Sequence, residues 1–147
     1  MKLKNYFIAL CVALTSAAFI ACDDDDDDHI KPSKVVETAF NQLYPDAQFV
    51  TWEREYGKIK AEFLNNGAEA DAWFEADGTW IRTETTVPRS ALPQPVLDFV
   101  ASNYAGYHID DAEWVETPNG EYYELDLEKG DKLEFNLHIL PDGTPLN

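Results

Sequence analysis

Residues 32–147 predict an α+β fold: one antiparallel sheet with helices on one face, assembled by tandem duplication of a helix followed by about four strands. Three observations point to it. Two apolar patterns of helical spacing stand sixty residues apart, each is followed by segments that alternate apolar and polar side chains, and each half closes on the same Asp-Gly-Thr turn. The halves run over 32–87 and 92–147.

The first helix is written in Val36, Ala39, Phe40 and Leu43, which share one helix face between Pro32 and Pro45, with Ser33 placed as N-cap. Val96, Phe99, Val100 and Tyr104 repeat the pattern, and Pro93 and Pro95 mark its start, since proline lacks only a donor that the first turn leaves unused. A tryptophan follows each helix, Trp52 and Trp114, and then a turn, Tyr56-Gly57 and Asn119-Gly120. Their equivalent places lead us to expect both tryptophans to be buried between sheet and helix.

The strands follow from period-two alternation. Ile59, Ala61 and Phe63 oppose Lys58, Lys60 and Glu62; Ala68, Ala70, Ala72 and Phe74 oppose Glu69, Asp71, Trp73 and Glu75. In the second half Tyr123, Leu125 and Leu127 oppose Tyr122, Glu124, Asp126 and Glu128, and Leu133, Phe135, Leu137 and Ile139 oppose Lys132, Glu134, Asn136 and His138. One polar face is what an antiparallel sheet covered on one side requires. Asn65-Asn66-Gly67, Asp77-Gly78-Thr79, Asn119-Gly120, Lys129-Gly130-Asp131 and Asp142-Gly143-Thr144 supply the hairpins, because Asn-Gly and Asp-Gly pairs tolerate positive φ.

Upstream, Lys2 and Lys4 precede an apolar run from Tyr6 to Ala21, the layout of an export signal. The run is short for a bilayer span, which sets it apart from a retained transmembrane anchor. Phe19-Ile20-Ala21-Cys22 resembles a bacterial lipobox, with Phe19 where an aliphatic residue is usual, so 1–21 reads as a lipoprotein signal peptide and Cys22 as the lipidation site. The other cysteine, Cys11, lies inside the signal, so no disulfide can form in the mature chain and the core alone must hold the fold. Residues 22–31 then form a lipid anchor and acidic spacer: six adjacent aspartates, Asp23 to Asp28, repel one another and stay solvated. They are not an EF-hand, because a loop begun at Asp26 has Lys31 where glycine is needed. Acidic residues behind a lipidated cysteine also resemble sorting signals. The chain is therefore expected to be an extracytoplasmic, membrane-anchored lipoprotein of a Gram-negative bacterium, in the periplasm or at the cell surface.

The formal charge is −17; without Lys2 and Lys4, 9 basic side chains face 28 acidic ones, near −19, and without the aspartate run 9 face 22, near −13. Such a surface repels phosphate backbones and suits a cationic protein, a peptide or a divalent ion. Catalytic signatures are missing. There is no G-x-S-x-G, H-E-x-x-H, Cys/His metal spacing or phosphate-cradling loop, and His29, His108 and His138 are isolated in sequence. Glu124 and Glu134 are placed to face each other across a hairpin, though a glycosidase would also need a cleft. Neither cofactor nor catalytic residue is called for.

WEREYGKIKAEF, AWFEADGTWIRTE, LPQPVLDFVASNY, NGEYYELDLEKGDKLEF and LPDGT together resemble the PepSY-like, beta-lactamase-inhibitor-like family from about Lys31 onward. The resemblance implies a repeated α+β fold similar to beta-lactamase inhibitory protein, an exported location and no known catalytic residues; fold does not imply function.

Two functions remain. In the first, the uncovered sheet face carrying Trp73, Tyr122, Glu124 and His138 binds an exported protein or peptide, its outward aromatics serving as anchors among carboxylates. In the second, the chain is a calcium-binding or structural component of the cell envelope.

Overall fold

The computed structural model describes residues 29–130 and 134–146. The expected signal peptide, Cys22 and Asp23 to Asp28 lie outside the described residues, as do Asp131, Lys132, Leu133 and Asn147. Helix α1 (Lys34–Leu43) leads into β1 (Gln48–Glu55), β2 (Lys58–Asn65), β3 (Ala68–Phe74) and β4 (Trp80–Thr86). A 3-10 turn at Arg89–Ala91 precedes α2 (Gln94–Asn103), then β5 (His108–Thr117), β6 (Gly120–Glu128) and β7 (Glu134–Ile139). The seven strands form one antiparallel sheet in chain order. Among the described residues the second half thus has three strands where about four were expected. After the second Asp-Gly-Thr turn the described residues add an isolated bridge of Ile139 to Pro145, a residue with no N–H to extend a ladder.

Both helices lie on the same sheet face, as the alternation requires. Ser33 caps α1 by accepting from the Val36 N–H, and α1 buries Val36 and Phe40 against Ile59, Ala61, Phe63, Ala70, Ala72 and Phe74. The alanines leave room for rings: Phe40 meets Phe63 edge-on at 4.9 Å between centroids. Leu43, at the helix end, is exposed. In the second half Val96 and Val100 of α2 pack on Ala112, Leu125, Leu127, Leu137 and Ile139. The result is two hydrophobic cores under one continuous sheet. At their junction β4 and β5 pair through four residues, Thr83 to Thr86 with Glu116 to Glu113. Buried Thr83 ties the first half together, bonded to the Tyr44 hydroxyl and accepting from Trp80 Nε1 at 2.9 Å.

The two tryptophans face the helices but neither is buried. Trp52 stands edge-on to Phe40 at 5.1 Å on the outermost strand β1, where one flank has no neighbouring full strand. Trp114 leans on Tyr123 at 4.8 Å and pairs with Thr85 at the β4–β5 junction, outside both cores.

The two Asp-Gly-Thr turns share one geometry. Asp77 accepts from the Thr79 N–H and Asp142 from the Thr144 N–H, each at 2.9 Å. Gly78 and Gly143 both take positive φ, +88° and +86°, and each lies against the second residue of a helix: a Cβ would come 3.1 Å from the Val35 carbonyl oxygen or 2.8 Å from that of Pro95. Glycine is therefore needed twice at each turn, for the backbone conformation and for the approach of the helix.

Short terminal segments line both outer strands. The Ile30 N–H donates to the Trp52 carbonyl at 2.9 Å beside β1, and the Leu146 N–H to the His138 carbonyl at 2.8 Å beside β7. Among the described residues no helix is long and apolar enough to cross a membrane.

Candidate functional site: the open face of the sheet

Register places the side chains of the uncovered face in rows. Glu53, Lys60, Trp73 and Arg82 stand side by side across β1 to β4. Next come Glu62, Asp71, Glu84, Val115 and Tyr122, then Glu113, Glu124 and His138, and last Asp111, Asp126 and Asn136.

The first row is basic and aromatic. Lys60, 8% exposed, pairs with Glu53 at 2.6 Å, Glu62 at 2.8 Å and Asp71 at 3.6 Å. Burial disfavours its ammonium charge, but hydrogen bonds to Glu53 and Glu62 and the charge of Asp71 outweigh this and hold its pKa above the ordinary lysine range. Trp73 does lie on this face, as the alternation predicts, but it is not an exposed anchor. Only 7% of it is accessible: the Arg82 guanidinium lies 4.3 Å from the ring centre, and Nε1 donates to Glu55 at 2.7 Å. The register that sets Arg82 beside Trp73 could not be read from either strand alone.

The remaining rows are acidic. Glu84 pairs with Arg82 at 3.1 Å, yet burial, helped by Glu124, Asp71 and Glu55 and only partly offset by Arg82, pushes its carboxyl to about 7. Burial raises Glu113 to about 7 as well, with Glu84, Asp111, Glu124 and Asp126 all adding in the same direction. Asp71 rises to about 6, chiefly by burial, although Lys60 opposes the shift; Lys60 is closer to two other carboxylates. Asp111, Glu113, Glu124, Asp126 and Asn136 line a hollow of about 180 Å³.

Tyr122, Glu124 and His138 come together as expected. His138 Nε2 meets Glu124 Oε2 at 2.9 Å, Asn136 Nδ2 donates to Glu124 Oε1 at 2.6 Å, and the Tyr122 and His138 rings lie 5.0 Å apart. Glu124 therefore does not face Glu134: its partner in register is His138, and Glu134 stands opposite Glu128. Sequence reading missed Asp111, Glu113 and Arg82; the alternation of His108 to Thr117, Asp-x-Glu-x-Val against Ala-x-Trp, was the signal for the first two.

Elsewhere, His108, Asp110 and Glu128 could hold a metal ion: one donor atom from each lies within 4.8 Å of the others, with His108 and Asp110 exposed. At the opposite end Tyr56 tops the β1–β2 hairpin, 96% exposed at φ +47°, and Phe49 is exposed at φ +55° in the β1 bulge.

No curated protein matches the chain. Among solved structures, a BLIP-like protein from Bacteroides fragilis NCTC 9343 is 30% identical, with 84% of this chain and 89% of that one covered at a TM-score of 0.74. A DUF2874 family protein from Bacteroides ovatus ATCC 8483 is 27% identical over 80% of this chain and 86% of that one, again at 0.74. A Bacteroides eggerthii DSM 20697 protein described as periplasmic, 22% identical, covers 80% and 87% at 0.72 and shares the fold. The family model "Putative beta-lactamase-inhibitor-like, PepSY-like" matches residues 57–143, from the first hairpin turn to the glycine of the second Asp-Gly-Thr. On that match and the B. fragilis likeness, the chain belongs to the PepSY-like, beta-lactamase-inhibitor-like family.

Proposed function

We propose that the open sheet face is a docking surface for a cationic exported protein or peptide, bound without chemical turnover. The observation that carries this reading is the row pattern. Among the described residues this face carries no helix and presents carboxylates strand after strand, while its basic side chains, Lys58, Lys60, Arg82 and His138, are already bonded to Glu75, Glu53, Glu84 and Glu124. Tyr122 and His138 supply the aromatic contact, and Trp73 supports Arg82 from beneath. Carboxylates should chiefly speed encounter, and the aromatic should slow departure. These rows hold no serine or cysteine nucleophile, and a binding role is the simpler reading.

The reading includes export and tethering at Cys22, with Asp23 to Asp28 as spacer, supported by the leader residues and by the fold relative described as periplasmic. It also includes tandem duplication of 32–87 and 92–147, supported by the helix-then-strands order and by two glycine turns seated on equivalent helix residues.

The test is an NMR titration with lysine-rich peptides and neutral peptides of equal length. Shifts from the lysine-rich series should fall on the open face, and Tyr122→Ala should hasten dissociation. Shifts confined to the Tyr56-Gly57 or Asn119-Gly120 hairpin would move the site there. Tyr56 itself favours that second reading, because an aromatic held fully exposed at positive φ has no packing role at the tip.

A further inference from the structure

Beside the outermost strand, His29 bridges Glu53 in the antiparallel sense and the Ile30 N–H donates to the Trp52 carbonyl at 2.9 Å. Strand β1 runs from Gln48 to Glu55 and ends in the Tyr56-Gly57 turn, so at His29 the path back to Cys22 points toward that turn. Cys22 stands seven positions before His29, a stretch that spans about 25 Å at most. The hairpin tip lies three residues past Glu53, about 10 Å along the strand. A lipid on Cys22 therefore holds the bilayer close to this end of the sheet.

The turns of a sheet in chain order alternate between its two ends. Tyr56-Gly57, Asp77-Gly78-Thr79 and Asn119-Gly120 share the anchor's end, and Asn65-Asn66-Gly67 and Lys129-Gly130 share the other. At the anchor's end Tyr56 is fully exposed, and Val35, half exposed, stands against Gly78. The other highly exposed aromatic, Phe49, belongs to the opposite end of β1, and the Asn119-Gly120 turn offers no ring.

Charge divides the molecule in the same sense. In sequence, 32–87 carries 5 basic and 10 acidic side chains, near −5, whereas 92–147 carries 2 and 12, near −10. Around the hairpin the signs are close to balance: exposed Arg54, Lys58 bonded to Glu75, and Lys34 at the head of α1 accompany Glu55 and Asp77. A tyrosine ring is apolar with a polar tip and settles at headgroup depth, and basic side chains near it suit lipid phosphate. An anionic leaflet repels the second half more strongly within a Debye length.

Resting on lipidation at Cys22 as argued above, we propose that the β1–β2 hairpin is the membrane contact of the anchored domain, with Tyr56 set among the lipid headgroups and the second half turned to the aqueous side. The hairpin that could have served a protein partner is then occupied by the bilayer, and the open sheet face stands roughly upright on it, reachable from water.

The test uses the lipidated chain in nanodiscs of phosphatidylethanolamine and phosphatidylglycerol doped with a gadolinium-chelating lipid, read by amide NMR relaxation. Amides of Tyr56 and Gly57 should relax several-fold faster than those of Gly67 and Gly130, with Gly120 between. Tyr56→Ala should remove most of this gradient without lowering Tm, because the ring packs on nothing, and Tyr56→Trp should restore it. An anchored protein whose relaxation is uniform, or strongest at Phe49 or Gly130, overturns the membrane contact and leaves lipidation standing, returning the hairpin to a protein partner. A gradient unchanged in Tyr56→Ala overturns the role of the ring. Wild-type protein recovered from cells without lipid on Cys22 overturns both readings.

Discussion

At the scale of single residues, two buried charges pull stability in opposite directions. A carboxylate whose folded pKa is raised contributes its stability below the unfolded value, and that contribution is lost as pH climbs through the folded one. For Glu113 the window runs from about 4.5 to about 7, and Glu84 and Asp71 act with the same sign. Glu113→Gln should therefore stabilise the fold at pH 8 by about 1 to 2 kcal/mol, allowing for partial solvent screening, and hardly at all near pH 4. Urea unfolding at the two pH values reads the difference; an equal effect at both would show that repulsion is not its origin. Lys60 is the opposite case. Lys60→Met keeps the stem but strands three carboxylates around an uncharged side chain, and should cost about 2 to 3 kcal/mol at pH 7, less at pH 4, where Asp71, raised to about 6 by burial, has taken up its proton.

Secondary-structure elements were largely legible, because periodicity and turn chemistry are local. Val36 with Phe40 and Val96 with Val100 marked the buried stripes of α1 and α2, and every expected glycine turn except Asp142-Gly143-Thr144, which follows the last strand, fell between strands. What stayed hidden depends on register. Trp73 pointed to the predicted face, but only pairing with β4 brings Arg82 over it; Glu124 met His138 instead of Glu134 for the same reason. Burial of Trp52 and Trp114 failed because face was inferred correctly while lateral cover was not. Truncation should therefore cost less than the 3 to 5 kcal/mol usual for a buried aromatic: about 2 to 3 for Trp52→Ala, which loses its edge contact with Phe40, and about 1 to 2 for Trp114→Ala. The glycine turns are more demanding. Gly143→Ala combines a positive φ with the closer approach to a helix carbonyl, so it should destabilise by about 2 kcal/mol or more, and Gly78→Ala by less. Equal Tm losses for the two would mean that backbone conformation alone decides.

The whole molecule is a single sheet resting on two cores that share no buried side chain and meet through four residue pairs. Cooperative units of this kind can open separately. Phe40→Ala should lose about 3 to 5 kcal/mol and accelerate amide exchange in β2 and β3 more than in β6, whereas Leu125→Ala should do the reverse; uniform acceleration throughout would mark one cooperative unit. A last consequence belongs to the outer strands, whose free hydrogen-bonding rims are met by Ile30 on one side and by Leu146 and Pro145 on the other. Strand β7 reads Glu-Phe-Asn-Leu-His-Ile, rich in residues that suit pairing, and an unprotected rim of that composition is a template for another chain. Removing residues 141–147 would leave the cores almost intact while uncovering that rim, so the shortened chain should melt at nearly the same temperature yet form thioflavin-positive assemblies on standing. The last few residues would then be a guard against self-association, and a truncated chain that stays monomeric would show the guard to lie elsewhere.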